Sequence, residues 1–136
     1  MFGWMVSRML PIIPKPVVKA VASRYVAGED LPSAVEKVRQ LNAKGFEATL
    51  DILGEDAADA AHADRTVQGY CDVLDAIAEN GLRSNVSIKL THMGLRLDRG
   101  EAEARMTRVI EHADRLGNFV RIDMEDSSLT STTLEI

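Results

Sequence analysis

Three charged residues, Asp51, Lys89 and Asp123, stand near the ends of three segments in which apolar and polar residues alternate. A lysine ammonium can hold a substrate carboxylate, and carboxylates can transfer protons or stabilise a positive charge in a transition state. One lysine between two carboxylates is therefore a combination that could bind and transform a small charged substrate. This combination is the main functional signal in the sequence.

The alternating segments are predicted strands, which run from Phe46 to Ile52, from Asn85 to Leu90 and from Phe119 to Met124. Successive side chains of a strand point to opposite faces, so each strand has one apolar and one polar face. In a barrel of parallel strands, the apolar faces meet the outer helices and the polar faces line the interior. Catalytic groups of such barrels lie at the carboxyl ends of the strands, where Asp51, Lys89 and Asp123 fall.

Amphipathic helices are predicted between these strands. Asp30 is placed to cap the first helix, and Gly45, Gly81 and Gly117, spaced 36 residues apart, are placed to end three successive helices. Units of this size suit parallel strands joined by helical crossovers. The apolar stripe of the second helix comprises Ala63, Val67, Tyr70, Cys71, Leu74, Ile77 and Ala78, and that of the third comprises Ala102, Met106, Val109, Ile110, Ala113 and Leu116.

The helical stripes and the loops also contain residues with reactive side chains. Tyr70 and Cys71 lie on a buried stripe, and for both we expect core packing rather than chemistry. His92 follows the second strand in a predicted loop, where we expect a surface residue.

The sequence thus predicts the α/β class, as an incomplete (β/α)8 TIM-type barrel with about three parallel strands, covering helices and additional N-terminal helices. We expect residues 1–29 to form an N-terminal helical segment and residues 30–136 to form the partial barrel domain. A complete barrel needs about 250 residues, whereas this chain has 136. The segment 127–133 is predicted as a loop before a helix that would begin near Ile136, so we expect a truncated barrel.

Composition excludes several classes of function. The net charge of −5 gives no electrostatic reason to expect nucleic-acid binding. The single cysteine excludes an internal disulfide and suits a reducing cytoplasm, and the three histidines lack metal-ligand spacing. Residues 1–13 are apolar but too short to span a bilayer. We therefore expect a cytoplasmic protein without a metal, and a peripheral contact at the inner membrane face stays open.

Four stretches of the chain resemble one enzyme family. Their order and spacing are similar to those in the N-terminal part of the bacterial monofunctional proline dehydrogenases, which are flavin enzymes with a (β/α)8 barrel. The stretches are Arg24–Glu29, Thr49–Glu55, Asn85–Thr91 and Phe119–Ser127.

The resemblance implies oxidation of L-proline to 1-pyrroline-5-carboxylate, with a hydride passing to FAD and electrons passing on to a membrane quinone. It implies that Lys89 pairs with the proline carboxylate near the flavin, and that Asp123 lies beside the reacting ring and the cofactor. Met124 would contact the flavin through its backbone. Glu55 would pair with an arginine of the last barrel helix and gate the substrate site, and Asp51 would have a supporting role at the end of its strand.

The resemblance also implies that important partners of these residues are supplied by later strands. The family's paired arginines, flavin-clamping residues and ring-packing tyrosines have no counterparts in this sequence. We therefore expect the chain to bind FAD and proline weakly or not at all by itself. We expect it to form a homo-oligomer or to need a complementing C-terminal half.

Two other functions remain open from the residues alone. In a different barrel enzyme, Lys89 could form a Schiff base with a carbonyl substrate, which would require a lowered pKa. Alternatively, the chain could be a non-catalytic, truncated or split half of a barrel that needs a partner. A metal site formed by Asp51, Asp123 and Glu125 is a weaker alternative, because Lys89 lies among these carboxylates.

Overall fold

The computed structural model describes residues 30–136, which form four helices and three strands. In chain order they are α1 (Leu31–Ala43), β1 (Ala48–Asp51), α2 (Ala60–Glu79), β2 (Ser84–Ile88), α3 (Arg99–Arg115), β3 (Val120–Ile122) and α4 (Thr130–Glu135). The predicted N-terminal helical segment and its membrane contact lie outside the described residues. Among residues 30–136, no helix is long and apolar enough to cross a membrane.

The three strands form one parallel sheet in the order β1-β2-β3, and helices make the connections between them. Leu50 pairs with Val86, and Val86 pairs with Val120, so the apolar positions of neighbouring strands lie side by side. The predicted alternation of strands and helices is confirmed. The strands are shorter than predicted, because backbone pairing covers only part of each alternating segment.

The helix ends follow the predicted signals. The Asp30 carboxylate accepts the Ser33 N–H at 2.9 Å, as an N-cap does, and Asp59 and Asp98 cap the later helices in the same way. Gly45, Gly81 and Gly117 have φ angles of +90°, +58° and +66°, which are left-handed values that glycine adopts without strain. Each connection therefore turns sharply from its helix toward the next strand.

The hydrophobic core lies between the apolar face of the sheet and helices α2 and α3. Its fully buried large side chains include Tyr70, Leu74, Val86, Ile88, Leu90, Met93 and Val109. The prediction of buried positions was wrong for Ala78, Ile110 and Leu116, which are exposed. Ala78 and Ile110 lie at the margins of their helical stripes, and Leu116 lies beyond the last residue of α3.

The polar face of the sheet is not uniformly open to solvent. Asn85 and Ser87 of the central strand β2 are buried, because side chains from β1 and β3 lie on either side of them. The Thr49 hydroxyl donates to the Asn85 amide oxygen at 2.8 Å, and the Ser87 hydroxyl donates to the Asp123 carboxylate. The polar face therefore carries an ordered row of hydrogen bonds across the strands.

The last helix begins earlier than expected. The segment 127–133 was predicted as a loop, but α4 starts at Thr130, and the Thr133 N–H donates to the Leu129 carbonyl at 2.8 Å. The Asp126 carboxylate accepts the Ser128 N–H at 2.8 Å, which closes a turn just before the helix. This local turn explains why the prediction was wrong.

Candidate active site

An ion pair joins the carboxyl ends of β1 and β2. Asp51 is the last residue of β1, Lys89 directly follows β2, and the Lys89 Nζ lies 3.2 Å from the Asp51 Oδ2. The side chain of Asp51 is 34% exposed, and that of Lys89 is 20% exposed. The sequence placed both residues at strand ends, and the structure brings them into contact.

The surroundings of Lys89 favour its charged form. Burial by itself would lower the pKa of Lys89, but the hydrogen bond to Asp51 and the negative charges of Asp51, Asp123 and Glu55 outweigh burial. They raise the pKa of Lys89 above its usual value. Lys89 therefore presents an ammonium group at neutral pH, which suits the binding of an anion.

Asp123 lies beside Lys89 on the same face of the sheet. Ile88 pairs with Ile122, so continuing this register by one residue sets Asp123 opposite Lys89. The Asp123 N–H donates to the Ile88 carbonyl at 2.9 Å, and the Asp123 carboxylate accepts the Ser87 hydroxyl. The backbone and the side chain of Asp123 are thus both fixed against β2.

Thr91 and Glu125 connect the loops above the strands. The Thr91 N–H donates to the Glu125 Oε1 at 3.1 Å, and the Thr91 hydroxyl donates to the other oxygen of the same carboxylate. Across the site, the Ala57 N–H donates to the Thr91 carbonyl at 3.0 Å. Thr91 therefore ties the loop after β1 to the loop after β3.

A cleft of about 280 Å³ opens among these loops. Its lining residues are Glu55, Asp56, Lys89, Thr91, Arg96, Met124, Glu125 and Asp126. Lys89, Glu55 and Met124 line the cleft, whereas Asp51 contacts Lys89 and Asp123 contacts Ser87. A larger cleft of about 500 Å³ lies at the amino ends of the strands, away from these charges.

Two residues near the site differ from the sequence prediction. Tyr70 is buried as expected, but its hydroxyl donates to the Asp51 carboxylate, a contact that core packing alone did not indicate. A tyrosine rather than a phenylalanine on an apolar stripe was the only available signal, because a buried hydroxyl needs a partner. This tyrosine extends the site into the core.

The prediction that His92 lies at the surface was wrong. His92 is only 3% exposed, and its ring lies edge-on to the ring of His62, with the centroids 5.5 Å apart. The loop after β1 passes over the His92 ring at Gly54, where any Cβ would stand 2.6 Å from its Nε2. Sequence order alone could not place this loop above a histidine almost 40 residues away.

No group of three His, Cys, Asp or Glu side chains within residues 30–136 is arranged to hold a metal ion. Asp51, Asp123 and Glu125, which were weighed as metal ligands, bond instead to Tyr70 and Lys89, to Ser87 and to Thr91. The carboxylates are therefore engaged in hydrogen bonds and an ion pair.

A family model described as proline dehydrogenase matches residues 34–136, which include all three strands and the whole cleft. The chain belongs to the proline dehydrogenase family. The match confirms the resemblance to this family, and it includes three of the four sequence stretches, those from Thr49 onward.

Curated relatives support this membership. The chain is 40% identical over 115 residues to proline dehydrogenase 1 of Bacillus subtilis (strain 168), and this match covers 85% of the chain and 38% of the relative. It is 33% identical over 118 residues to the proline dehydrogenase of Deinococcus radiodurans, covering 85% of the chain and 38% of the relative. The chain thus spans well under half the length of these proline dehydrogenases.

The fold is also found in a solved structure. The crystal structure of proline utilization A (PutA) from Bdellovibrio bacteriovorus, inactivated by N-propargylglycine, matches with a TM-score of 0.78 at 22% identity. The match covers 87% of this chain and 15% of that one. It confirms the predicted fold, which is three parallel strands and their helices from a TIM-type barrel.

Proposed function

We propose that this chain contributes the substrate-binding lysine and neighbouring carboxylates to a proline dehydrogenase that oxidises L-proline to 1-pyrroline-5-carboxylate, with FAD as the hydride acceptor. The observation that carries the proposal is the Lys89 ammonium, paired with Asp51 and exposed to a cleft, in a chain of this family. The cleft of about 280 Å³ is close to the lower end of the range of about 300–1,000 Å³ for small-molecule sites, which suits a small ligand.

Lys89 is assigned to the carboxylate of proline. Its raised pKa keeps the ammonium charged, and its side chain is partly exposed toward the cleft. A lysine that forms a Schiff base needs a lowered pKa, so that the neutral amine can attack a carbonyl. The direction of the pKa shift therefore favours anion binding over Schiff-base chemistry.

Asp123 is assigned to the reacting ring. When a hydride leaves the carbon next to the proline nitrogen, positive charge develops on an iminium, and a fixed carboxylate nearby stabilises that charge. The bonds from Ser87 and to Ile88 already hold Asp123 in one orientation. Little reorganisation is then needed during the reaction.

FAD would supply the acceptor for the hydride. The residues present leave room for one edge of a flavin ring, because Met124 and Lys89 both line the cleft and Met124 is 55% exposed. We assign Met124 and Asp123 to the cofactor, and Asp51 to the support of Lys89. Glu55, exposed at the rim, is assigned to the gate of the substrate site.

The proposal extends to the setting of the enzyme. We assign residues 30–136 to a partial barrel domain and residues 1–29 to a helical segment. We propose a cytoplasmic protein, peripheral at the inner membrane face, that passes electrons to a membrane quinone. We also propose that a C-terminal half of the barrel, or a second copy of the chain, contributes further residues to the cleft.

The test is the visible absorption, with FAD and before and after L-proline, of the chain joined to the C-terminal part of a related proline dehydrogenase, because the chain alone should bind FAD weakly or not at all. D-proline is the stereochemical control. We expect bound flavin that bleaches with L-proline. Lys89→Gln should require about 10- to 100-fold more L-proline, because a charged hydrogen bond is lost. Lys37→Gln, on the exposed side of α1, should behave as the wild type. Failure to bind flavin, or bound flavin that L-proline never bleaches, contradicts the proposal.

A further inference from the structure

Tyr70 connects the hydrophobic core to the candidate active site. Its side chain is fully buried on α2, among the apolar residues that pack against the sheet. Its hydroxyl donates to the Asp51 Oδ1 at 2.8 Å and accepts the Ile52 N–H at 3.3 Å. Tyr70 therefore fixes both the end of β1 and the carboxylate that this strand presents.

The two oxygens of Asp51 have different partners. Oδ1 accepts the Tyr70 hydroxyl, and Oδ2 accepts the Lys89 ammonium at 3.2 Å. A carboxylate bonded at one oxygen to a rigid core group cannot rotate freely, so its other oxygen has a defined direction. Lysine has a long, flexible side chain, and the position of its ammonium depends on the group that holds it.

We propose that Tyr70 is a positioning residue that sets the place of the Lys89 ammonium through Asp51. Tyr70 does not line the cleft, so it acts on the site only through these groups. The positioning of Lys89 does not depend on the identity of the substrate. Its consequence for proline binding rests on the proposed function.

The chemistry of the phenol supports this role. Burial and the neighbouring Asp51 carboxylate raise the pKa of Tyr70, so the hydroxyl keeps its proton and stays a donor at all physiological pH values. Asp51 is 34% exposed, so water can compete for its oxygens when the tyrosine hydroxyl is removed. A fixed donor would then be replaced by a mobile one.

Tyr70→Phe removes only the hydroxyl and keeps the ring in the core. With the lysine nitrogens labelled with nitrogen-15, nuclear magnetic resonance measures how fast the Lys89 ammonium protons exchange with water. We expect this rate to rise about threefold to tenfold in Tyr70→Phe, the effect of losing one hydrogen bond. We also expect the titration midpoint of Lys89 to fall toward its usual value.

Matched variants separate positioning from general loss of structure. Thr49→Val removes a hydroxyl from the same strand that bonds to Asn85 and not to Asp51, so it should leave the Lys89 signals unchanged. Asp51→Asn should change them at least as much as Tyr70→Phe. In the Asp51→Asn background, Tyr70→Phe should add nothing, because the link between the two residues is already broken.

The proposal is overturned if Tyr70→Phe leaves the exchange and titration of Lys89 as in the wild type, even when it lowers stability, since Tyr70 is then only a packing residue. Additive effects of Tyr70→Phe and Asp51→Asn also overturn it. If Tyr70→Phe does not fold, the exchange rate of the Tyr70 hydroxyl proton with water tests the proposal instead. This proton must exchange slowly in the wild type and faster in Asp51→Asn, and equal rates contradict the proposal.

A proline titration of the same variants, each joined to the C-terminal part of a related proline dehydrogenase, tests the consequence for the substrate. We expect proline to bind Tyr70→Phe about threefold to tenfold more weakly than the wild type, and Thr49→Val as well as the wild type. If the joined wild type binds no proline, the proposed function fails, while the Lys89 measurement on the chain itself still decides the role of Tyr70. If proline binds wild type and Tyr70→Phe equally, the consequence for the substrate is wrong.

Discussion

At the residue scale, Thr91 connects the loops of the site through hydrogen bonds. It is buried, and its N–H and hydroxyl both donate to Glu125. Its hydroxyl oxygen also accepts the Asp56 N–H at 3.3 Å, and its carbonyl accepts the Ala57 N–H. A single neutral side chain thus joins the loops that follow β1 and β3.

Thr91→Val should destabilise the chain by about 1–3 kcal/mol, because valine keeps the shape but leaves polar groups of Glu125 and Asp56 without a partner. Urea unfolding measures this loss. Thr107→Val is the matched control, since the exposed Thr107 hydroxyl bonds only to a carbonyl of its own helix. Its effect should stay within about 0.5 kcal/mol. Equal effects of the two variants would show that the bonds of Thr91 contribute nothing specific.

At the element scale, the loop between β1 and α2 is held from both sides. Gly54 lies against the buried ring of His92, while the Ala58 N–H donates to the His62 Nδ1 at 3.2 Å. The two histidine rings contact each other edge-on. Glu55 therefore lies on a loop whose position relative to the cleft is set by the packing of Gly54 on His92, and not by the charge of Glu55.

Gly54→Ala should displace this loop and destabilise the chain by about 1–3 kcal/mol, because its Cβ would overlap the His92 ring. Gly100→Ala is the matched control. It lies in the first turn of α3 with space around it, and alanine there should be neutral or stabilising by up to about 1 kcal/mol. Thermal unfolding compares the two variants.

A double-mutant cycle identifies the cause. If the overlap with His92 is responsible, Gly54→Ala should cost less in a His92→Ala background, where the ring is gone. An unchanged cost in both backgrounds would assign the effect to the backbone of the loop instead.

Local sequence signals were sufficient to predict the elements. Asp30 and Gly45 act through hydrogen bonds and φ angles within a few residues, so both helix ends of α1 could be read directly. The alternation around Leu50 likewise predicted which face packs on the helices. The start of α4 was missed, because it depends on a turn at Asp126 in which any of several polar residues can serve.

The charged residues of the candidate site could be predicted from the sequence, but the residues that hold them in place could not. Parallel strands bring their carboxyl ends together, which was enough to expect Asp51 and Lys89 at one edge. The hydroxyl of Tyr70 and the burial of His92 depend on which segments cross above which strands. Such contacts join residues that are distant in sequence, and no local pattern contains them.

At the scale of the whole molecule, stability should depend on pH in two separate windows. The pKa of Asp126 is lowered by its Ser128 hydrogen bonds and by Arg96, and the pKa of Asp64 is lowered by Arg105. A carboxyl with a lowered pKa stabilises the folded state above its unfolded pKa. That contribution is lost as the pH falls through the folded value, below about 4.

His92 acts at higher pH. Burial is the main reason that its pKa is lowered from 6.5, and the charges of His62 and Lys89 lower it further, against the opposing carboxylates of Asp51 and Glu125. The unfolded chain therefore takes up a proton first as the pH falls below 6.5. Folding stability must then decrease from there downward, by at most about 1.4 kcal/mol per pH unit for one proton.

We expect His92→Gln to remove the part of this decrease that belongs to His92. Urea unfolding of the wild type and the variant at pH 7 and pH 5 measures it. Glutamine changes the packing equally at both pH values, so the difference between the two pH values cancels the packing cost and leaves only the proton uptake. A variant that loses as much stability between pH 7 and pH 5 as the wild type would show that the buried histidine is not the group that titrates.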